Sequence, residues 1–475
     1  MTATVRGLLW ALESPARRNS AGSVIIQGSQ RLSRLLPIVA AASALDPGPF
    51  AALAVALALT DILRAALMAL DVSGVRLLAR GHGEDLLATH LLAKLLMGVA
   101  GQALVVIVAA IAFGSDAAEI VAFTGVGLIP SSLAGLLLVR RQVDLRLGSA
   151  TPAVVVASAA STVGAIVGVV FTHDARWFAA GLSVGDLLLL LLLWRDLPGR
   201  GWALGPALRL LRAAPPLVIM QIAYIGEFRV GTLVLGVVGS AVAVGEYTVA
   251  TRIAEGLAIV AAAITATAYP MMATALSRGD RALAGRIFDR TYAIALLGSA
   301  LMVGGLAVLV RLWLSVLFPR YPGAGLSFAF VGIAVILFFV SSQTSALLNA
   351  EHRDRVAAAS SQAGLIVTII GTLVLAPSGA VGVSAARIVG EAARQLLEIV
   401  AIARSRSGSV RLAATSWFVA APVIAIALVA GLDQWHTALT GIAVLAGVLA
   451  TCAAVALARG RVVQMFRGAV ESPHR

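Results

Sequence analysis

Apolar blocks of about 20 residues recur along the whole chain, separated by short polar connectors. A helix of this length crosses the ~30 Å hydrocarbon core of a bilayer, because each residue adds about 1.5 Å. The composition is 60% hydrophobic and 12% charged, whereas a soluble domain carries roughly 25% charged residues. A very alanine-rich soluble protein would share this composition, but it would not repeat blocks of membrane-spanning length. The sequence therefore predicts an all-α integral membrane protein with about 14 transmembrane helices.

The apolar blocks fall into two sets of six spans and a final pair. The first set comprises 21–44, 50–70, 88–113, 119–139, 151–172 and 177–195. The second set comprises 214–238, 246–271, 288–312, 326–349, 358–376 and 380–402. The final pair comprises 413–431 and 437–458. Glycine and proline in the connectors, as in Asp46-Pro47-Gly48-Pro49, support these boundaries.

The arginines test both the span count and the orientation. With the N-terminus in the cytoplasm, and with basic residues at span ends counted in the adjoining segment, 25 basic residues fall in cytoplasmic segments, 3 in outer segments and the remaining 8 within spans. Cytoplasmic loops carry an excess of basic residues, and one missed helix would invert every later loop. The net charge of +13 therefore indicates orientation in a membrane rather than nucleic-acid binding. We expect a multi-pass protein of a bacterial inner membrane with both termini in the cytoplasm.

The N-terminal segment partly imitates a secretory signal peptide. Arg17 and Arg18 precede an apolar stretch, and 42–44 resembles a cleavage site. However, Arg31 and Arg34 interrupt what would be the apolar region. We therefore predict an uncleaved first helix.

The two sets of six spans resemble each other, which indicates an internal repeat. Ser131-Ser132 and Asp144 match Ser341-Ser342 and Asp354 at one constant offset, and Val184-Gly185-Asp186 corresponds to Val389-Gly390-Glu391. Because six is an even number, the repeats should be parallel and related by an axis along the membrane normal. The predicted organisation is a cytoplasmic segment (1–20), an N-lobe (21–195), a cytoplasmic linker (196–213), a C-lobe (214–402), two further helices (403–460) and a cytoplasmic tail (461–475).

Ionisable residues cluster at mid-depth in corresponding spans of the two sets, the first and second of each. The bases are Arg31, Arg34, Arg64, Arg229 and Arg252, and the acids are Asp61, Glu227 and Glu255. Charges in hydrocarbon are costly, so they usually face a bundle interior or an aqueous cavity. We predict a water-filled cavity with a surplus of positive charge, in which the arginines bind an anionic substrate and the acids neutralise them or couple a cation.

Internal ion pairs that pin helices together are the alternative. Asp61 with Arg64, and Arg252 with Glu255, are one turn apart and would suit such pairs equally well. Inter-helix pairing is the preferred interpretation for the charges of the sixth and twelfth spans, Asp186, Arg387, Glu391 and Arg394. Lys94 and Asp71 lie near span ends, so we expect them to extend toward the membrane surface.

Signatures of enzymes and metal sites are missing from the sequence. There is no phosphate-binding loop of the ATPase type, and the outer loops are too short for a catalytic domain. Cys452 is the single cysteine, so neither a disulfide within the chain nor a Cys/His metal site is expected. We predict no catalytic residues, metal or cofactor, and no nucleic-acid partner.

Five stretches carry a resemblance to a known family. They are 45–50 (Leu-Asp-Pro-Gly-Pro-Phe), Pro215-Pro216 with Glu227-Phe228-Arg229, 245–250 (Gly-Glu-Tyr-Thr-Val-Ala), Tyr269-Pro270 ahead of 276–280, and 317–321 (Leu-Phe-Pro-Arg-Tyr). In this order they resemble the polysaccharide-exporter branch of the multidrug/oligosaccharidyl-lipid/polysaccharide (MOP) flippase superfamily. Asp46, Ala51 and Pro319 depart from the glycines that the family commonly has there.

The resemblance implies two six-helix lobes around a central cavity lined by the first, second, seventh and eighth spans. It implies a transporter, not an enzyme, that moves a glycan on a polyprenyl diphosphate from the cytoplasmic to the outer leaflet by alternating access. The partners would be this lipid-linked oligosaccharide and membrane lipids, with a coupling cation left open. A cation-coupled multidrug exporter of the same fold is the alternative, because an acid-dominated pocket would favour it.

Overall fold

The computed structural model describes residues 15–78, 84–144, 146–199 and 201–403, and every regular element in these ranges is a helix. The first six α-helices are α1 (Pro15–Ala44), α2 (Pro47–Leu78), α3 (Glu84–Phe113), α4 (Ser115–Val143), α5 (Leu147–Thr172) and α6 (Ala175–Leu192). They are followed by α7 (Leu204–Ala213), α8 (Pro215–Val238), α9 (Ala241–Ser277), α10 (Arg281–Leu317), α11 (Ala324–Ala350), α12 (Asp354–Leu375) and α13 (Gly379–Ala403). Short 3-10 turns lie at Trp194–Asp196 and Ala376–Ser378.

The predicted spans agree with these helices. All twelve spans between residues 21 and 402 coincide with a described helix, while 413–431 and 437–458 lie outside the described residues. Eight stretches of the described chain are long and apolar enough to cross a membrane, and a ninth arises if Leu217–Ala223 and Ile225–Val238 form one bent span. One of the eight, Asp354–Ala403, contains both α12 and α13. The multi-pass helical membrane protein is confirmed, and the two-repeat layout agrees with this helix order.

Several helices are longer than their apolar spans. α9 and α10 have 37 residues each, which corresponds to about 55 Å and exceeds the ~30 Å hydrocarbon core. Hydropathy marks only the part of a helix that lies in lipid, so it misses the turns that continue into water. Local sequence signals mark where two other helices begin. Pro215 and Pro216 occupy the first positions of α8. At the start of α6, the Asp174 side chain accepts a hydrogen bond from the Arg176 N–H (2.8 Å).

The predicted linker 196–213 contains a helix that was not predicted, α7. Its apolar stripe consists of Ala207, Leu210 and Leu211, with Ala214 directly after the helix end. This stripe packs against Leu70 of α2 and Ala93 of α3, while Arg209 and Arg212 are exposed. The spacing of three and four residues is typical of an amphipathic helix, so the signal was present in a segment too polar to count as a span.

The described chain divides into two compact units. The first contains the described residues up to Ile259 together with Val316–Ala324 and Thr372–Val383. The second contains Val260–Ser315, Gly325–Gly371 and the described residues from Ser384 onward. The first unit therefore includes α8 and the first half of α9 as well as α1–α7. The division into lobes at 196–213 stays a prediction.

Glycines bring α5 and α6 of the first unit into close contact. A Cβ atom added to Gly164 would lie 2.9 Å from the Gly181 carbonyl oxygen, and one added to Gly168 would lie 2.5 Å from the Trp177 carbonyl oxygen. Real Cβ atoms do not approach backbone this closely, so only glycine fits at these positions. Small residues of this kind let helix backbones approach in a membrane.

Gly168→Ala should lower the free energy of unfolding by about 1–3 kcal/mol, because the added methyl group forces α5 away from α6. Thermal unfolding of the purified protein in detergent measures the effect. The matched control is Gly298→Ala in α10, where an added Cβ meets nothing within 4 Å and stability should stay equal or rise slightly. Equal stability of the two variants would contradict the packing role of Gly168.

Candidate substrate-binding cavity

A cavity of about 730 Å³ lies inside the first unit, between residues of α1–α6, α8 and α9. Its charged lining consists of six bases, Arg31, Arg34, Arg64, Lys94, Arg229 and Arg252, and four acids, Asp61, Asp71, Asp186 and Glu255. The formal net charge of this lining is therefore +2. All five arginines predicted from the sequence line this one space, with Asp61 and Glu255 of the three predicted acids.

Arg229 of α8 links three helices of the first unit. Its Nε lies 2.9 Å from Asp61 Oδ2 on α2, and its two terminal nitrogens form a bidentate contact with Glu255 on α9, 2.9 Å for Nη2 to Oε2. The side chain is only 8% exposed. A guanidinium that satisfies two carboxylates in this planar geometry is a strong charge-assisted contact.

Arg252 of α9 closes the network. Its Nη2 lies 3.1 Å from Asp61 Oδ2, and its Nη1 lies 3.4 Å from Glu255 Oε2. The pairing of Arg252 with Glu255, which their spacing of one turn on the same helix left open, is therefore present. Arg229 and Arg252 each contact both carboxylates, so all four side chains hold α2, α8 and α9 together.

The surplus positive charge lies with the arginines of α1. Arg34 Nη1 lies 3.6 Å from Asp61 Oδ1, a carboxylate that Arg229 and Arg252 already share. Arg31 has no ion-pair partner within 4 Å in the described part of the chain. Arg34, Arg229 and Arg252 carry three positive charges against the two negative charges of Asp61 and Glu255, which leaves a surplus of one. Arg31 adds a second positive charge.

Arg64 pairs with a different helix from the one that spacing suggested. The same-helix pair of Asp61 with Arg64, which helical spacing left open, is not formed: Arg64 Nη2 lies 3.7 Å from Asp186 Oδ2 on α6, and its Nη1 lies 3.2 Å from Ser131 Oγ on α4. Residues three positions apart differ by about 60° around a helix axis. Asp61 thus faces the arginines of α8 and α9, whereas Arg64 faces α4 and α6. The predicted inter-helix pairing of Asp186 is present.

Lys94 and Asp71 are part of the cavity wall, which the sequence reading missed. Lys94 Nζ lies 2.6 Å from Asp71 Oδ1 and 2.7 Å from the Ser132 carbonyl oxygen. The prediction that Lys94 extends to the membrane surface is wrong, since its side chain is 1% exposed. A lysine extends its ammonium group toward the membrane surface to reach water. Here the Asp71 carboxylate and the Ser132 carbonyl provide partners for that group inside the bundle.

Glu227 does not line the cavity, although it was predicted as one of the cavity acids. It lies two residues before Arg229, and helix positions i and i+2 do not face the same side. Because Arg229 points toward Asp61 and Glu255, Glu227 points elsewhere, where it is 1% exposed.

The second unit contains a separate buried polar cluster on α13. Arg387, Glu391, Arg394 and Glu398 are all at most 4% exposed. Arg394 Nε lies 3.3 Å from Glu398 Oε1, and Ser345 of α11 donates a hydrogen bond to the same oxygen at 2.6 Å. Glu391 and Arg394 contact the Ser341 and Ser345 hydroxyl groups of α11, whereas the ion pairs of Arg394 with Glu391 and Glu398 lie within α13 and not between helices.

Solved structures of transporters share this fold. The lipid II flippase MurJ in its inward closed conformation superposes with a TM-score of 0.66 at 12% identity, over 92% of this chain and 99% of that one. An inward-facing multidrug resistance MATE family transporter of the MOP superfamily gives a TM-score of 0.60 at 15% identity, over 80% and 98%. A MOP superfamily transporter from Pyrococcus furiosus Vc1, described as having a binding pocket of reversed polarity that suggests a different function, gives 0.53 at 15%, over 82% and 96%.

Comparisons of the sequence alone with protein-family models and with curated proteins find no match. At identities of 12–16% the structural likeness shows the fold. The neighbours are transporters and flippases, and each is matched over almost its whole length. This chain has the fold of the transporters of the MOP superfamily.

Proposed function

We propose that the protein is a flippase that moves a polyprenyl-diphosphate-linked glycan from the cytoplasmic to the outer leaflet by alternating access. The observation that carries this proposal is the surplus charge at Arg31 and Arg34 in the cavity of the first unit. A guanidinium matches phosphate oxygens bidentately and stays charged at every physiological pH. A diphosphate diester carries two negative charges, which equals the formal surplus of the lining.

The cavity wall also suits an amphipathic ligand. Apolar side chains, including Ile26, Leu35, Leu57 and Ile225, lie beside the arginines. A ligand with a charged diphosphate next to a hydrocarbon chain would contact both kinds of surface. Polar lining residues such as Gln30 and Ser158 would be available to sugar hydroxyl groups.

The likeness to known structures supports the same class of substrate. The MurJ structure, a lipid II flippase, is matched over 92% of this chain. A cation-coupled multidrug exporter is the alternative, since MATE transporters share the fold. Cavity carboxylates Asp61 and Glu255 are engaged by arginines, which leaves them poorly available to a cationic drug.

Orientation is part of the proposal. The arginine distribution supports an inner-membrane protein with both termini in the cytoplasm. In that orientation the outer loop between α5 and α6, which contains His173, faces away from the cytoplasm.

A reconstituted assay tests the function. Proteoliposomes containing the full chain and a fluorescent diphosphate-linked glycolipid should expose the label to an impermeant quencher at least tenfold faster than protein-free liposomes. A neutral glycolipid with the same sugar and chain should not be accelerated, because it lacks the group that Arg31 and Arg34 would bind. Export of a cationic dye without movement of the diphosphate lipid would instead support the multidrug alternative.

A further inference from the structure

Lys94 is the single lysine among the 36 basic residues of this chain. An arginine stays protonated in every environment, whereas lysine and its carboxylate partner form a pair that can change its charge when buried. We propose that the Asp71–Lys94 pair is a proton-binding site that couples uptake of one proton to anion binding in the cavity. The proposal rests on the proposed function in taking the cavity ligand to be an anion.

The geometry assigns different roles to the two side chains. Lys94 is 1% exposed, and its ammonium group donates to Asp71 Oδ1 at 2.6 Å and to the Ser132 carbonyl oxygen at 2.7 Å. Asp71 is 19% exposed and lines the cavity. A Cβ atom added to Gly135 of α4 would lie 3.6 Å from Asp71 Oδ2, so the glycine leaves space beside this second carboxylate oxygen. Asp71 is the more exposed member of the pair, and because Lys94 is already an ammonium ion, the Asp71 carboxylate is the group that can take up a proton from the cavity.

The step is a simple protonation. A proton from the cavity adds to a carboxylate oxygen of Asp71, while Lys94 stays an ammonium ion held by the Ser132 carbonyl and the neutral acid. The pair changes from zero to one positive charge, and the cavity lining from +2 to +3. Each binding event then favours the other by the same factor, since coupling between two sites is reciprocal. One unit charge about 10 Å from the two negative charges of a diphosphate corresponds to roughly 200-fold in affinity at an effective dielectric constant of ~20.

Other charged groups lie on the helices of the pair, α2 and α3, and on the helices packed against them. On the elements packed against it they are Asp61 and Arg64 (α2), Asp85 and His90 (α3), Arg140 and Arg141 (α4), Asp186 (α6), Arg209 and Arg212 (α7) and Arg229 (α8). His90 is the group among these that ordinarily titrates near neutral pH. Its Nδ1 contacts the Leu86 carbonyl oxygen at 2.9 Å. It therefore needs its own control.

Calorimetric titration in two buffers of different ionisation enthalpy measures the coupling. The ligand is a short-chain dialkyl diphosphate with one alkyl group on each phosphorus, whose own charge does not change between about pH 5.5 and pH 8. The wild-type protein should take up close to one proton per ligand bound at an intermediate pH and bind up to roughly 200-fold more tightly at about pH 5.5 than at about pH 8. His90→Gln should keep this uptake.

Asp71→Asn should abolish the proton uptake. Its amide is a neutral substitute for the protonated acid and still offers an oxygen to Lys94, so binding at about pH 8 should be as tight as that of the wild type at about pH 5.5. A merely structural pair predicts weaker binding or less folded protein instead. Wild-type proton uptake in Asp71→Asn, or its loss in His90→Gln alone, would overturn the proposal.

A second readout needs neither a ligand nor a variant. Because the chain has one lysine, ¹⁵N-lysine labelling gives a single side-chain ammonium signal. That signal should shift between about pH 5 and pH 9 as Asp71 gains or loses its proton. A wild-type protein that fails to bind the diphosphate would refute the proposed function. An unchanging lysine signal would refute the proton site.

Discussion

Arg229→Met should lower the free energy of unfolding by about 3–5 kcal/mol, the largest effect expected of a single substitution in this cavity. The change keeps most of the side-chain volume but removes the charge that both Asp61 and Glu255 contact. Arg252, with the more distant Arg34, would then face both carboxylates, and Glu255 would lose its bidentate partner. We expect a much lower yield of folded protein and a lower thermal midpoint in detergent.

Two further variants separate lost charge from lost packing. Arg229→Met combined with Glu255→Gln also removes the carboxylate charge that Arg229 contacts bidentately, and it should recover much of the stability. Arg31→Met makes the same chemical change at the arginine that has no ion-pair partner in the described residues, and stability should change by less than about 0.5 kcal/mol. If Arg31→Met destabilises the protein as much as Arg229→Met does, the division into structural and ligand-binding arginines is wrong.

Arg31→Ala combined with Arg34→Ala should reduce transport of the diphosphate-linked glycan at least tenfold while folded protein accumulates normally. Hydrogen bonds to a charged group contribute about 1.5–3 kcal/mol each, and these two arginines carry the surplus charge of the cavity. Arg34→Lys should recover only part of the activity, because lysine keeps the charge but lacks the planar fork. Initial transport rates in proteoliposomes, normalised to inserted protein, provide the measurement.

Arg176→Ala serves as the control for that experiment. Arg176 is a half-exposed arginine of the first unit that pairs with Glu119 at 2.9 Å, away from the cavity lining. Its transport rate should equal that of the wild type. Normal transport by the Arg31→Ala/Arg34→Ala protein would refute substrate binding by these residues.

The sequence predicted which charges meet but not how they pair. A charged side chain in lipid is costly. The sequence therefore predicts that Arg31 and Arg34 share a cavity with Arg64, Arg229 and Arg252. The partner of each depends on the rotation of one helix against its neighbours. Helical spacing allowed Asp61 to pair with Arg64, and only the placement of α8 and α9 beside α2 shows that Asp61 faces Arg229 and Arg252.

The position of Lys94 and the presence of α7 were not predicted from the sequence, for similar physical reasons. Hydropathy places Lys94 near a span end because it does not show where an acid on the neighbouring helix lies. Asp71, within 2.6 Å, makes the interior position possible. The α7 helix was missed because its apolar stripe is narrow and packs on other helices instead of spanning the bilayer.

The most direct test of the central claim is an experimental structure of the full chain with a diphosphate-linked glycolipid bound. We expect phosphate oxygens within hydrogen-bond distance, about 2.7–3.2 Å, of the Arg31 and Arg34 guanidinium groups. The network of Arg229 and Arg252 with Asp61 and Glu255 should be unchanged beside the ligand. A headgroup bound elsewhere, with Arg31 and Arg34 facing water alone, would contradict the claim that this cavity binds the anionic part of the substrate.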